Sequence, residues 1–186
     1  LLAIYPAQDQ RERFYSIGCK DGMIQLVVKL FPEGFGSGFL YQLKPDQVLE
    51  ARVMANPSFH FPKVAPAVAL IANGTGIAPF LGMIAENQHK IPVKLYAGFR
   101  KNNEMTAQYL EFTNEQKKLG QLNDVQLAFS REQQGQYVMD LICEDGPYFV
   151  ELLEQKGYIL LCGSLRMQQD VEETLNGILL ARTGKS

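Results

Sequence analysis

The sequence predicts an antiparallel β unit followed by an α/β unit built on a doubly wound parallel sheet, and three observations lead there. The first third consists of short apolar runs punctuated by glycine and proline, as in strands joined by turns. From about Ala65 onward apolar strands alternate with helical patterns, which argues for a parallel sheet covered on both faces. Between the two lies a segment, residues 56–66, that contains Pro57, Pro62 and Pro66 and reads as a linker, so the expected domains are residues 1–64 and 65–186.

In chain order, residues 13–19 and 23–30 are expected strands, bounded by Asp21-Gly22 and by Pro32, Gly34 and Gly36. Residues 37–43 read as one or two helical turns entered through glycines. Residues 47–54 (QVLEARVM) alternate apolar and polar side chains, the pattern of a half-buried strand. In the second unit, strands are expected over 67–72, 93–99, 125–130 and 158–162. Helices are expected over 78–88, 106–119, 137–142, 147–156 and 164–180. No internal repeat or low-complexity tract interrupts this order.

Composition narrows the function classes. Of 186 residues, 46% are apolar, enough to bury a core, and the formal net charge is −2, so sequence-independent nucleic-acid binding has no electrostatic footprint. Cys19, Cys143 and Cys162 are odd in number, widely spaced and without a CxxC pair. That pattern offers neither a disulfide framework nor zinc spacing, and it fits a reducing compartment. The longest apolar stretches, 67–72 and 158–162, are too short to cross a bilayer, and no signal peptide is visible. A start at Leu1-Leu2 rather than Met points to a piece of a longer protein.

The stretch LIANGTGIAP, residues 70–79, ends an apolar strand at a Gly-Thr-Gly turn and then opens a helix. Gly74 and Gly76 permit close backbone approach, and the first amides of the helix from Ala78 would face an anion. The helix dipole adds about 0.3–1 kcal/mol for a phosphate there, beyond the hydrogen bonds themselves. Thr75 contributes a hydroxyl. The stretch is not GxGxxG, because Pro79 occupies the last position, and no Gly-Lys-Ser/Thr follows as in a P-loop. A tight turn without a ligand would use the same glycines.

Other strand ends carry chemistry as well. Phe129-Ser130-Arg131 sets a hydroxyl and a guanidinium after a strand, with Tyr137 shortly beyond. A guanidinium binds phosphate through a planar fork and an aromatic ring stacks on a base, so a 2′-phosphoadenosine suits them and points to NADP over NAD. A solvated surface charge is the alternative for Arg131. Cys162-Gly163 ends the last expected strand; the thiol is either a small buried hydrophobe or a group that positions a nicotinamide. In RFYSIG, period two sends Arg13 and Tyr15 to one face and Ser16 to the other, unless the strand ends there. GFGSGFL, residues 34–40, offers a second glycine-led helix start with Ser37 as cap or phosphate donor. It is no nucleophile elbow, since Phe35 stands where G-x-S-x-G needs glycine.

Taken in order, RFYS, GFGSGFL, NGTGIAPF, YAGFR, AFSREQQGQYV and LCGSLRMQQDV resemble the motifs of the ferredoxin–NADP reductase family. The likeness is strongest to FAD/NADPH modules of the cytochrome P450 reductase and sulfite reductase flavoprotein type, and it runs from about Arg13 to Leu180. The resemblance implies a partial antiparallel flavin-binding barrel, its C-terminal part only, followed by an NADP-binding α/β domain. It implies that Arg13 holds the FAD pyrophosphate, that Tyr15 stacks on the flavin and that Ser16 lies near flavin N5. Ile24, Gln25 and Leu26 would run beside the flavin, and Gly34, Gly36 and Ser37 would bind its pyrophosphate. Gly74, Thr75, Gly76 and Arg100 would meet the NADPH phosphates. Ser130, Arg131, Gln136 and Tyr137 would surround the 2′-phosphoadenosine, with Asp170 at the edge of the nucleotide site. Cys162 would sit by the nicotinamide and act with Ser16 at the reacting centre.

The implied activity is electron transfer from NADPH through FAD to an FMN or flavodoxin-like domain or a haem, in the cytoplasm or at the cytoplasmic face of a membrane. The chain departs from the family pattern in several places. Twelve residues precede Arg13, where relatives carry further barrel strands, and the chain ends at ARTGKS without the family's terminal aromatic. Gly135-Gln136 replaces an expected basic residue, and Ser164 stands in place of an Asp. Two other functions fit parts of the sequence. A regulatory nucleotide-binding or interaction domain without hydride transfer would account for the shortened barrel. A dehydrogenase of small organic substrates would need an acid/base partner, but His60 falls in the linker and His89 at a helix end, where both read as surface residues.

Overall fold

A computed structural model of the chain describes residues 1–6, 11–20 and 22–183. Asp21, expected beside a turn, and residues 184–186 of the terminal ARTGKS lie outside the described residues.

The first unit holds two small antiparallel sheets. β1 (Leu2–Ile4) is the middle strand of one, flanked by β2 (Arg13–Tyr15) and by a later strand, Ala51–Val53. β3 (Ile17–Lys20) and β4 (Met23–Leu26) form a separate hairpin. It turns through Gly22, whose φ of 76° is a glycine conformation. The sequence pattern does not predict β1. All of its residues are buried, as befits the middle of a sheet, so no alternation marks it.

The strand expected over 13–19 divides at Ser16, where the chain leaves one sheet and enters the other. The strand expected over 23–30 stops at Leu26, because Ile17↔Leu26 is the last pair that the partner offers. For the same reason β5 is Ala51–Val53 rather than 47–54: β1 provides only Leu2, Ala3 and Ile4 to pair with it. α1 (Phe35–Gln42) starts two residues earlier than expected, directly after Gly34.

The second unit follows its expected plan closely. Its parallel strands are β6 (Val68–Asn73), β7 (Val93–Phe99), β8 (Asp124–Phe129) and β9 (Tyr158–Cys162), in the order β8-β7-β6-β9. A 3-10 turn (Gly74–Ile77) leads from β6 into α2 (Ala78–Ala85). That helix stops short of residue 88 because the buried Asn87 amide bonds both backbone groups of Ile91, at 2.8 and 3.0 Å, and turns the chain. α3 (Glu104–Leu119) is fixed at its start by reciprocal bonds between Asn103 and Thr106 and at its end by Gly120, φ 74°. α4 (Val138–Glu144), α5 (Gly146–Glu154) and α6 (Leu165–Thr183) complete the unit.

Alternation across β6 and β7 sorts the core into two layers. Val68, Leu70, Ala72, Val93, Leu95 and Ala97 face α2 and α3. Ala69, Ile71 and Tyr96 face α4, α5 and α6. Both faces of the sheet are thus covered, which is the doubly wound arrangement. The hairpin of the first unit rests on the second. A Cβ on Gly18 would strike the Ala78 carbonyl, and one on Gly82 would lie 2.5 Å from the Cys19 nitrogen, so β3 and α2 touch backbone to backbone. No helix among the described residues is long and apolar enough to cross a membrane.

Candidate functional site

In this strand order the chain leaves β6 toward β7 on one side, while β9 arrives on the other. The loops after β6 and β9 therefore diverge, and the crevice at such a switch point is where open α/β sheets bind ligands. Both loops open into one cleft of about 1580 Å³ that also takes in the first unit. A single small-molecule pocket holds about 300–1,000 Å³. The cleft has room for more than one nucleotide.

Most of the residues singled out from the sequence line this cleft. From the first unit come Arg13, Tyr15, Ser16, Gly34, Gly36 and Ser37. From the second come Gly74, Thr75 and Gly76 of the turn, Arg100, Ser130 and Arg131 at strand ends, and Gln136 and Tyr137 before α4. Cys162 and Asp170 complete the wall. Ile24, Gln25 and Leu26 do not line it: they lie on the hairpin, where Ile24 is exposed. His60 and His89 are both exposed and outside it.

The two glycine-led helix starts differ in local chemistry. At α1, Gly34 occupies the cap position and no side chain caps the helix. Ser37 is one turn in; its Oγ accepts the Phe31 N–H at 3.1 Å and donates to the Gly34 carbonyl at 3.3 Å, so it shapes the loop rather than capping the helix. A Cβ on Gly36 would come within 2.6 Å of the Tyr15 hydroxyl and 3.0 Å of Arg13 Cγ. Glycine there lets both side chains lie across the helix start. At the other start, Gly74 has φ 53° with open space above it, and Thr75 is exposed. The 3-10 turn also lacks a capping side chain. First-turn amides not capped by a side chain suit phosphate oxygens at both starts.

Charge follows the same plan. Arg13, Lys29, Arg100, Lys101, Arg131 and Arg166 line the cleft against a single carboxylate, Asp170, on a chain of net charge −2. The loop bearing Ser130 and Arg131 is bonded to the end of β7: Ser130 N–H to the Phe99 carbonyl at 2.9 Å, and Arg131 N–H to the Arg100 carbonyl at 2.8 Å. Tyr137 is 55% exposed, with its N–H held by the Asp140 carboxylate at 2.7 Å. Its ring is open to a planar partner at the rim. The Gln136 amide donates to Glu144 at 3.1 Å.

At the meeting of the two units, the Cys162 thiol donates to Ser16 Oγ at 3.7 Å. Burial pushes the Cys162 pKa up, and the Ser16 hydroxyl offsets part of that rise. Burial likewise raises the Tyr15 phenol, tempered by the Arg13 charge. Cys162 is thus a neutral thiol at neutral pH rather than an activated nucleophile. Sequence reasoning missed Lys29, Lys101 and Arg166, isolated charges whose shared direction appears only in the folded chain. It also missed Asn73, whose side chain bonds Ser164 across the crevice. Among the described residues no cluster of His, Cys, Asp and Glu could hold a metal ion.

These residues could hold two dinucleotides: two helix starts for diphosphates, cations in the same cleft, the exposed Tyr137 ring, and a neutral thiol–hydroxyl pair. Residues 70–173 match the family model of the oxidoreductase NAD-binding domain. The chain is 36% identical over 162 residues to a nitric oxide synthase of Anopheles stephensi, an alignment spanning 80% of this chain and 13% of that protein. It is 31% identical over 153 residues to the sulfite reductase [NADPH] flavoprotein alpha-component of Buchnera aphidicola, spanning 78% and 25%. The chain thus spans a quarter or less of the length of these relatives. Its fold matches the H286K mutant of a Plasmodium falciparum ferredoxin–NADP+ reductase solved with 2′P-AMP. That match has a TM-score of 0.75 and 20% identity, and covers 94% of this chain and 76% of the other.

Proposed function

We propose, because the chain belongs to the oxidoreductase NAD-binding domain family, that it is the FAD- and NADP-binding module of an NADPH-dependent flavoprotein reductase. It would pass electrons from NADPH through FAD to a protein-bound acceptor, an FMN or flavodoxin-like domain or a haem. Residues 65–186 would hold NADP, and residues 1–64 would form the C-terminal part of the FAD barrel. A cytoplasmic setting, or the cytoplasmic face of a membrane, suits free thiols such as Cys19 and Cys143.

One observation carries the reading: both glycine-led helix starts open into one cationic cleft, and Ser16 and Cys162 face each other between them. When bound, the nicotinamide supplies a hydride and the flavin accepts it and releases electrons singly. The chain's own residues do the rest. Arg13 and the α1 start would bind one diphosphate, and Tyr15 would cover the flavin ring. The Gly74–Gly76 turn and Arg100 would bind the other diphosphate, while Ser130, Arg131 and Tyr137 would hold the 2′-phosphoadenosine. Ser16 would donate a hydrogen bond toward the flavin edge, and Cys162 would orient the nicotinamide. Neither need move a proton as a strong acid or base. Their contribution is alignment and the exclusion of water.

The test uses the full-length protein that carries this chain. Mixed anaerobically with NADPH, its flavin absorbance should bleach. Absorbance that stays unchanged overturns the proposal. A second reading, nucleotide binding for regulation without hydride transfer, is favoured by the two separate small sheets that the described residues of the first unit form. Purified full-length protein that binds NADP but carries no flavin would support it instead.

A further inference from the structure

We infer that Asn73 is a positioning residue: its amide fixes the turn from Cys162 to Ser164 against the glycine turn and so sets where Cys162 presents its thiol. The part of this inference that concerns the nicotinamide rests on the function proposed above.

β6 pairs with β9 as far as Ala72↔Cys162, and one residue later Asn73 pairs on the opposite side, with Gly98 of β7. The crevice opens at this point, and the ladder to β9 ends with it. The Asn73 side chain bridges the gap with both of its polar atoms. Oδ1 accepts the Ser164 N–H at 3.0 Å, and Nδ2 donates to Ser164 Oγ at 3.2 Å. An amide suits this pair of partners because it offers one acceptor and one donor side by side.

The glycines show how tightly the bridge is built. A Cβ on Gly163 would occupy the place of Asn73 Oδ1, and one on Gly76 would strike the Cys162 carbonyl. The Cys162–Ser164 turn is therefore gripped at both ends of the 73–76 segment. Ser164 is engaged on its far side as well, where its Oγ accepts the Met167 N–H at 3.3 Å in the first turn of α6. The Gly163 carbonyl is held by the Gln168 amide at 3.1 Å. Asn73 thus couples three things in one small volume: the phosphate-binding turn, the thiol-bearing turn and the start of α6. A nucleotide seated on Gly74–Gly76 would meet a thiol whose position is set by the same residue.

Four variants of the full-length protein test this: Asn73→Ala, Ser164→Ala, the two together, and Asn73→Asp. Asn73→Ala should slow flavin reduction at saturating NADPH about tenfold, while the half-saturating NADPH concentration moves less than about threefold. Ser164→Ala should slow it less, since the Ser164 N–H still reaches Oδ1. The double variant should be slower than Asn73→Ala only by what the lost Ser164–Met167 bond costs, so the two single losses should fall short of adding. Asn73→Asp keeps an acceptor for the N–H and can accept a hydrogen bond from the Ser164 hydroxyl, so it should recover most of the rate. Alkylation of Cys162 by iodoacetamide, read by peptide mass spectrometry without any nucleotide, should accelerate in Asn73→Ala, while Cys19 and Cys143 react as before. A wild-type reduction rate in Asn73→Ala, or losses that add in the double variant, overturns the inference. Should NADPH fail to bleach the unaltered protein, the proposed function falls instead, and alkylation decides alone: equal Cys162 rates with and without Asn73 overturn its role.

Discussion

Cys162 and Ser16 stand 146 residues apart in the chain, and their side chains meet at 3.7 Å where the two units face each other. Burial raises the thiol pKa above its ordinary 9.0, and the Ser16 hydroxyl, able to donate to the thiolate, lowers it by a smaller amount. The pH profile of Cys162 alkylation should therefore have its midpoint above 9.0. Because the folded chain holds this proton more tightly than the unfolded one, stability falls as pH rises from the unfolded thiol value through the folded one. Ser16→Ala removes the lowering contact and should move the midpoint higher still. A midpoint at or below 9.0 contradicts the burial argument.

Gly76→Ala should be more damaging than Gly74→Ala. At Gly76 the added methyl meets the Cys162 carbonyl and, at 3.0 Å, the Gly163 nitrogen, both backbone atoms that cannot turn aside. A cost of about 1–3 kcal/mol, together with loss of NADP binding, is expected. At Gly74 the methyl enters open space, and the cost is the left-handed backbone at φ 53°, about 1–2 kcal/mol. Urea unfolding and NADP titration of the two variants separate these outcomes; equal NADP affinity in Gly76→Ala and the unaltered protein refutes the close-contact account.

Arg131→Ala tests the choice between nucleotides. A hydrogen bond to a charged group contributes about 1.5–3 kcal/mol, so the KM for NADPH should rise by about one to two orders of magnitude. The KM for NADH, which has no 2′-phosphate, should change little. If both cofactors suffer alike, Arg131 serves the diphosphate or the fold instead. Steady-state kinetics at fixed ionic strength decide between these.

A stability site lies away from the cleft. The Asp145 carboxylate accepts from Lys94 Nζ at 2.7 Å and from the Tyr96 hydroxyl at 2.5 Å, and Lys94 sits 3.9 Å from the Tyr148 ring centre. Tyr96 is fully buried, and burial followed by the Asp145 contact pushes its phenol pKa far up. Burial also pushes Tyr148 to about 12. Asp145→Ala leaves the Tyr96 hydroxyl and a half-buried ammonium without this partner, at a cost of about 2–3 kcal/mol. NADP affinity should be unchanged. An unaltered urea midpoint in this variant excludes the role.

The parallel-sheet unit was legible because its strands are mostly apolar runs ending at residues with distinctive chemistry. β7 and β9 occupy the expected spans, 93–99 and 158–162. The first unit was less legible, because strands of three or four residues are too short for a period to declare itself. Their ends are set by the length of a partner strand, which is invisible from the segment alone. Within the cleft, Ser130, Arg131, Tyr137 and Cys162 could be singled out because each ends or follows a recognisable strand. Lys29, Lys101 and Arg166 look like ordinary surface charges until folding turns them toward one space. Asn73 lies inside the stretch first noticed for its glycines, but its partner is 91 residues away.

Gly18 and Gly82 bring β3 and α2 into direct backbone contact, so the hairpin travels with the half that carries the Gly-Thr-Gly turn. The boundary in space therefore does not coincide with the proline-rich stretch in the chain. Any rocking of one half upon the other must pivot at Ser16, the single residue between β2 and β3, at the segment between β4 and α1, and at that stretch. The hydroxyl that faces Cys162 sits at the hinge itself, where angular motion displaces it least.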